Sequence, residues 1–475
     1  MSFITRRKSL DAAPLAQDLT THKLRRTLSW PHLIALGVGA IVGTGIYTLI
    51  GIGAGMAGPG VMLSFVIAGA VCAFAALCYA EMATMLPQAG SAYTYAYHGV
   101  GEGFAWMVGW SLILEYTVVA AAVSAGWSGQ VSSLITQWGW PIPHALLAPP
   151  GAGGIVNLPS ILIAAGVTAV LLAGTRESAT VNFILVLVKL AALAGFIALT
   201  LPVFDGAHFH PFMPFGFGAT EGADGAKHGV MAAAALMFFA FYGFDAISTA
   251  AEETRNPSRD LTIGIVGSML LCTAIYMLVA AAALGASPYD VFSRDGAPLA
   301  FILKTLNHPL AAALIAGAAV VALPTVIMVF MFGQTRIFFA MARDGLIPRA
   351  LAAVGPRGVP TLVTLLTGAF AALIAGFVPL KQIAEVANAG TLLAFVATAL
   401  CMLILRRVAP ARPRAFRCPA PWLVGPLAIL GCLYLFASLS RFTMIFFVGW
   451  NLAGFAVYLA YGRTASRLAR DGGAA

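Results

Sequence analysis

The first long apolar stretch of the chain contains the sequence Gly-Val-Gly-Ala-Ile-Val-Gly-Thr-Gly-Ile-Tyr at residues 37–47. Glycine weakens a helix by about 1 kcal/mol relative to alanine, and this stretch has four glycines and a polar residue, Thr44, between two of them. We therefore expect the helix to unwind near residues 43–45, leaving polar backbone groups that a bound polar solute can satisfy. For Gly37 and Gly39 we favour close helix packing instead.

A second apolar stretch has the sequence Phe-Ala-Phe-Tyr-Gly-Phe-Asp at residues 239–245, where a glycine stands near an acid. Interrupted helices at corresponding places in two halves of an apolar chain are typical of a transporter's binding site. The two stretches correspond if the chain consists of two five-helix repeats of opposite topology. A dinucleotide-binding glycine loop would need a preceding strand and a ribose-binding acid, and the sequence around residues 37–47 indicates neither.

Composition excludes a water-soluble domain. The chain has 475 residues, of which 60% are hydrophobic and 9% charged, whereas soluble domains carry about 25% charged residues. Because a membrane-crossing helix needs roughly 20 apolar residues, the sequence predicts an all-α integral membrane protein with twelve transmembrane helices. If the chain is a 5+5 inverted repeat with discontinuous helices 1 and 6, two extra C-terminal helices remain. The predicted spans are 31–55, 60–86, 103–136, 156–173, 178–201, 228–254, 260–285, 309–341, 361–376, 383–406, 420–438 and 441–461.

The charges predict the orientation. Of the 27 Lys and Arg residues, 21 lie before the first span, in alternate loops or in the tail, and five lie in the intervening loops. Positive loops stay in the cytoplasm, so we expect both termini there and a location in the cell (inner or plasma) membrane. The net charge of +9 then needs no nucleic acid partner. The predicted units are a cytoplasmic segment (1–30), one transmembrane domain (31–461, with repeats at about 31–201 and 228–406 and extra helices at about 420–461) and a cytoplasmic tail (462–475).

Several short motifs resemble one known family. They are Gly-Thr-Gly-Ile-Tyr at 43–47, Tyr-Ala-Glu-Met at 79–82, Pro-Gln-Ala-Gly-Ser-Ala-Tyr-Thr-Tyr at 87–95, Phe-Phe-Ala-Phe-Tyr-Gly-Phe-Asp at 238–245, Gly-Gln-Thr-Arg at 333–336 and Ala-Arg-Asp-Gly-Leu-Ile-Pro at 342–348. Together they resemble the amino acid–polyamine–organocation superfamily, and in particular its cationic amino acid transporter branch with the bacterial relatives. The resemblance covers roughly residues 25–460 and implies two inverted five-helix repeats with broken helices 1 and 6.

The resemblance also implies which residues bind substrate. Free N–H groups and the positive end of a half-helix suit a carboxylate, so Thr44 and Gly45 would hold the carboxylate of an amino acid. Unwound carbonyls would receive the ammonium, and they belong to Ile41, Phe239 and Tyr242. Gly43 and Gly243 would let the backbone open. Asp245 would steady the second break or line the substrate cavity.

Three ionisable residues, Glu115, Lys189 and Asp245, lie deep in predicted spans, where a charge is expensive and usually functional. A structural ion pair is the alternative. Sodium-coupled members of this fold hold a cation between helices 1 and 8, and Lys189 resembles the lysine that looks to replace it in sodium-independent relatives. We therefore expect sodium independence or proton coupling. Glu115 resembles a glutamate of the cationic branch that could attract a cationic substrate or relay protons, and the sequence does not rank these roles.

The function predicted is that of a secondary active amino acid transporter working by alternating access, with no enzyme activity, cofactor or metal. Its partners would be an amino acid, protons and the lipid bilayer. A polyamine or organic amine carrier and an amino acid exchanger of the same fold remain alternatives, and a channel is less favoured because the sequence has no filter motif. For the substrate side chain, the lack of an acid near Thr325, Met328 and Phe330 favours small neutral or broad specificity. Glu115 is the evidence against this choice.

Overall fold

Helices form wherever the chain is apolar, because a backbone in lipid must satisfy its N–H and C=O groups within its own segment. The structure is a computed structural model. Its one described sheet is a short antiparallel pair, β1 (Thr220–Glu221) with β2 (Lys227–His228). The all-α prediction is therefore confirmed. The structure describes residues 6–9, 28–88, 90–140, 143–173, 179–222, 226–241, 243–249, 251, 254–353, 355 and 359–471.

Helices lie within each of the predicted spans. In chain order they are α1 (Trp30–Ile41), α2 (Ile50–Ala57), α3 (Val61–Met85), α4 (Ala92–Gly99), α5 (Glu102–Gln137), α6 (Leu158–Leu172), α7 (Ala179–Thr200), α8 (Val230–Met237), α9 (Phe244–Thr249), α10 (Pro257–Ala286), α11 (Tyr289–Phe292), α12 (Pro298–Thr305), α13 (Pro309–Arg343), α14 (Thr361–Phe377), α15 (Leu380–Val408), α16 (Pro421–Ser438), α17 (Arg441–Val457), α18 (Arg463–Ala465) and α19 (Arg467–Asp471).

Nine helical stretches of the described chain are long and apolar enough to cross a membrane. The first of them, Trp30–Met85, is 56 residues long, which is enough for two membrane crossings. A turn at Gly58–Gly60 divides it. Two shorter apolar helices are α6 and α14. The chain is thus a multi-pass membrane protein.

The helices form two packed groups. In one group α5 packs along α13, and α6 packs along α14. In the other, α10 packs against α3 and α1. Helix α15 lies against α5, α3 and α16 and so connects the groups. The interrupted helices contact the first group near their breaks, where α1 and α9 lie against α13.

The first predicted interruption is present. Helix α1 ends at Ile41, and Val42 leaves helical geometry with φ −75° and ψ 93°. The chain resumes with a wide π-helical turn at Gly45–Leu49 that leads into α2. In this second half the N–H groups of Ile46 and Tyr47 donate to the Gly43 carbonyl at 3.2 and 3.3 Å.

The second predicted interruption is also present. Helix α8 ends at Met237, a tight 3-10 turn covers Phe238–Ala240, and α9 begins at Phe244. Between them Gly243 has φ +119°, a conformation that essentially only glycine adopts without strain. A Cβ on Gly243 would also lie 2.8 Å from the Ala40 Cβ. The break of one helix is therefore packed directly against the end of the other.

Candidate functional site

A small cavity lies between the two interrupted helices. The cavity is small and is not fully enclosed. It is lined from both breaks and from α5 and α13, by Ala40, Ile41, Gly43, Thr44, Gly45, Val119, Val123, Phe239, Val326 and Phe330.

One wall of the cavity is the start of the second half of the first interrupted helix. The first N–H groups of a helical segment have no carbonyl one turn before them, and they carry the positive end of the helix dipole. In this helix those groups belong to residues 43–45, which line the cavity. This wall is therefore suited to an anionic group.

The hydroxyl of Thr44 adds a further polar atom at the same place. Thr44 is 1% exposed, and its Oγ1 has no hydrogen-bond partner within the described chain. Its side chain packs so closely against Gly126 of α5 that a Cβ added to Gly126 would collide with the Thr44 side chain. A buried hydroxyl without a partner costs about 1–3 kcal/mol, so this atom is one that a ligand can satisfy.

Two side chains hold the carbonyl end of α1. Lys189 Nζ donates to the Gly39 carbonyl at 2.8 Å, and the Tyr276 hydroxyl donates to the Ile41 carbonyl at 2.7 Å. Lys189 itself is fully buried. Because the last carbonyls of a helix lack intrahelical partners, these contacts fix the end of α1 beside the cavity. A carbonyl has two lone pairs, so the Ile41 oxygen can still accept a second donor.

The carbonyl end of α8 is held in the same manner. The amide of Asn388, on α15, donates through Nδ2 to the Ala235 carbonyl at 2.6 Å. Phe239, one turn further along the chain, lines the cavity. Both interrupted helices thus present a supported carbonyl end near the same space.

Asp245 lies at the start of α9, just after the second break. Its Oδ1 accepts the N–H of Gly243 at 3.0 Å, and its Oδ2 accepts the hydroxyl of Tyr116 at 3.1 Å. The carboxylate therefore holds the break itself and connects it to α5. It does not belong to the cavity lining.

Glu115 precedes Tyr116 on α5 and is fully buried. At Glu115 helix α5 packs closely against α15, since a Cβ added to Gly390 of α15 would be 2.9 Å from the Glu115 Cβ. Neither carboxyl oxygen has a hydrogen-bond partner within the residues that the structure describes. A carboxylate in this state is costly, so the site can hold a proton or an incoming cation.

The structure brings some predicted site residues to the cavity and places others around it. The lining includes Ile41, Gly43, Thr44, Gly45 and Phe239. Outside the lining are Gly243 and Asp245 in the second break, Lys189 behind α1 and Glu115 on α5. Tyr242 lies outside the described residues. Of the residues considered for side-chain selectivity, Phe330 lines the cavity and Thr325 and Met328 do not.

The sequence did not reveal Tyr276, Asn388 or the three valines of the cavity's apolar wall. Tyr276 lies in an apolar part of α10, and Asn388 lies among other polar residues of α15 such as Glu385 and Thr391, so neither was distinguished by its neighbours. The wall consists of Val119, Val123 and Val326 with Phe330. No pattern distinguishes such residues from ordinary apolar ones in the same helices.

Comparisons with known proteins agree on one family. Residues 28–458 match the amino acid permease family. A branched-chain amino acid permease of Bacillus subtilis is 42% identical over 470 residues, which are 98% of this chain and 99% of that protein. A methylthioribose transporter of the same species is 38% identical over 98% of this chain and all of that protein. Human cationic amino acid transporter 4 is 34% identical over 87% of this chain and 64% of its own length.

Proposed function

The chain belongs to the amino acid permease family and is an amino acid transporter, and we propose that it is a secondary active carrier working by alternating access. The observation that carries the proposal is the meeting of two interrupted helices at one small cavity. A small cavity between two interrupted helices is typical of the solute site of a carrier, whereas a channel needs a continuous pore. The residue pattern contains no catalytic cluster, and the protein is a transporter rather than an enzyme.

The proposed architecture has twelve spans in a 5+5 inverted repeat, with α16 and α17 as the extra helices. Dividing the long first stretch in two and adding the two shorter apolar helices to the other stretches gives twelve. An even number returns the chain to its starting side, and Arg6 does contact the Arg463 carbonyl at 3.4 Å. With the positive charges where they are, we place both termini in the cytoplasm and the protein in the cell membrane.

The proposed binding mode uses main-chain groups for both ends of an amino acid. The carboxylate binds the N–H groups at the start of the second half of helix 1, together with the Thr44 hydroxyl. The ammonium binds carbonyls of Ile41, Phe239 and Tyr242. The unpartnered Thr44 hydroxyl supports the first contact, and the supported carbonyl ends of α1 and α8 support the second.

The proposed substrates are neutral amino acids with branched aliphatic side chains. None of the ten lining residues is ionisable, and three of them are valines on α5 and α13. An apolar wall favours an apolar side chain, because a buried cation without a partner is costly. The Bacillus subtilis relative named as a branched-chain permease agrees with this choice. A polyamine would leave the N–H groups and the Thr44 hydroxyl without an anion.

The proposed coupling is to protons, without sodium. Lys189 already places an ammonium against helix 1, and that position leaves no need for a metal cation to hold the helix. Glu115, which has two unpartnered oxygens in the described structure, is the second candidate proton carrier. The structure and the comparisons support an amino acid carrier, and the coupling ion is our inference from these two residues.

Uptake by reconstituted protein tests both the function and the coupling. Purified protein in proteoliposomes should accumulate radiolabelled leucine when the outside is acidic, equally in sodium and in choline buffer. Lys189→Ala should lose the response to the pH gradient. Accumulation that requires sodium and ignores the pH gradient would overturn the coupling. Leucine flux that does not saturate would favour a channel over a carrier.

A further inference from the structure

Asn388 is a fully buried amide in the apolar helix α15. Its Nδ2 lies 2.6 Å from the Ala235 carbonyl oxygen and 3.4 Å from that of Leu236. Both carbonyls belong to the last turn of α8, where C=O groups begin to lose their intrahelical donors, and the Leu236 carbonyl also accepts from the N–H of Phe238. Asn388 therefore supplies a donor from another helix to the end of the second interrupted helix.

The orientation of the amide follows from its acceptors. If the group were turned over, the Asn388 oxygen would face the Ala235 oxygen at 2.6 Å, which is repulsive, so the NH₂ must point at α8. The Oδ1 then faces away, and it has no partner among the described residues. An unsatisfied buried acceptor costs about 1–3 kcal/mol. A side chain that carries this cost is poorly explained by packing alone.

The contact has a counterpart on the first interrupted helix. Lys189 reaches Gly39, which is two residues before Ile41, the last residue of α1. Asn388 reaches Ala235, which is two residues before Met237, the last residue of α8. In the proposed repeat these donors come from helices 5 and 10, which are corresponding helices. Each broken helix is thus held, two residues before its end, by a donor from the corresponding helix of the proposed repeat.

We propose that Asn388 is a positioning residue for the ammonium of the substrate. By fixing the last turn of α8, it sets the direction of the carbonyls in the turn that follows, at Phe238–Ala240, which includes the cavity residue Phe239. Asn388 does not itself line the cavity, so it acts through the backbone. This inference rests on the proposed binding mode, in which helix 6 carbonyls receive the ammonium.

The test compares two ligands that differ only at the ammonium. Leucine and 2-hydroxy-4-methylpentanoate share a carboxylate and a side chain, and only leucine has the ammonium. Their inhibition constants are measured against leucine uptake in proteoliposomes for wild type and Asn388→Leu. The expected result is a loss of about tenfold in affinity for leucine, the size of one hydrogen-bonding contact, with little change for the hydroxy acid.

Two further variants serve as a substitute for Asn388→Leu and as a control. Asn388→Thr is expected to fold if Asn388→Leu does not, since Thr391 and Thr398 of the same helix donate to carbonyls four residues earlier. It also removes the donor from α8 and should give the same selective loss. Thr364→Val, which removes a buried hydroxyl that donates to the Pro360 carbonyl at the start of its own helix, is the matched control and should leave both constants unchanged.

The outcomes separate the inference from the function on which it rests. Equal losses for both ligands, or none, in a variant that elutes and unfolds like wild type would overturn the positioning role. If wild type takes up no leucine, the comparison is made with the amino acid that uptake selects and its own α-hydroxy acid. If wild type transports no amino acid, the proposed binding mode fails and this inference fails with it.

Discussion

Thr44 is the residue at which a stability argument and a binding argument point in opposite directions. Its hydroxyl is buried without a partner in the described structure, so it does not stabilise the unliganded protein. A group of this kind is retained where a ligand satisfies it. A buried polar group that lacks a partner in the unliganded protein therefore marks a binding residue, because a packing residue carries no such free-energy cost.

Replacing Thr44 by valine keeps the shape and removes the hydroxyl. We expect the KM for leucine uptake to rise about tenfold, because one contact to a charged carboxylate is lost. We expect the thermal unfolding temperature of the unliganded protein to stay the same or rise, because an unsatisfied group is removed. Leucinamide, which lacks the carboxylate, should inhibit wild type and variant equally. A lower unfolding temperature with an unchanged KM would contradict the account.

At the scale of the elements, the two broken helices depend on each other's glycines. Gly243 has a backbone conformation with positive φ, and the space where its Cβ would be is occupied by Ala40 of α1. Gly45 in turn lies against the backbone of Ala240, in the turn after α8. Each break is therefore shaped partly by the other, and a side chain added at either glycine would displace the other helix.

Gly243→Ala is expected to abolish leucine uptake or reduce it by more than tenfold, because the new Cβ adds strain at positive φ and pushes α1 away from the break. Gly195→Ala, in α7, is the matched control: a Cβ there meets nothing within 4 Å, and alanine should stabilise the helix by up to about 1 kcal/mol. Uptake and unfolding temperature are measured for both variants. Normal uptake by Gly243→Ala would argue against a functional break.

The sequence predicted the interruptions because their causes are local. Glycines around Thr44 and next to Phe244 weaken helices wherever they occur, so the positions of both breaks could be read without a structure. The side chains that hold the ends of the broken helices could not be predicted in this way. Tyr276 lies 235 positions from Ile41, and Asn388 lies 153 from Ala235, and no local pattern joins such pairs. Lys189 could be predicted because a charged residue inside a span is conspicuous and because it resembles a lysine of sodium-independent relatives.

At the scale of the whole molecule, the described N-terminal residues 6–9 join several parts of one face. Lys8 Nζ lies 2.9 Å from Asp344 Oδ1, just beyond α13, and the Tyr93 hydroxyl donates to the other Asp344 oxygen at 2.8 Å. His98 of α4 contacts the Lys8 carbonyl through Nδ1 at 3.1 Å. The arrangement connects the N-terminus, α4 and the end of α13.

This docking should depend on pH. Burial, and then the positive charge of Lys8, lower the pKa of His98 to about 4, from an ordinary value of about 6.5; Asp344 and Arg412 are the other charged groups that act on it. Detachment removes the Lys8 charge and part of the burial, so the pKa of His98 rises toward its ordinary value and protons favour the detached state. Docking is complete above about pH 6.5 and weakens as the pH falls toward about 4.

Hydrogen exchange of the peptide containing residues 6–9 measures this effect, after correction for the intrinsic rate. Protection is expected to be lower at about pH 5 than at about pH 7. His98→Asn keeps an N–H donor toward Lys8 and cannot titrate, so its protection should be the same at both pH values. Equal protection in the wild-type protein at both pH values would refute the role of His98.

An experimental structure with leucine bound would show whether the two helix breaks bind both ends of the substrate. We expect the carboxylate within about 3 Å of the backbone N–H groups that open the second half of helix 1 and of the Thr44 hydroxyl. We expect the ammonium against the carbonyls of Ile41 and Phe239, and the side chain against Val119, Val123 and Val326. Leucine bound elsewhere, or in this cavity with its carboxylate on the carbonyl side, would contradict the account.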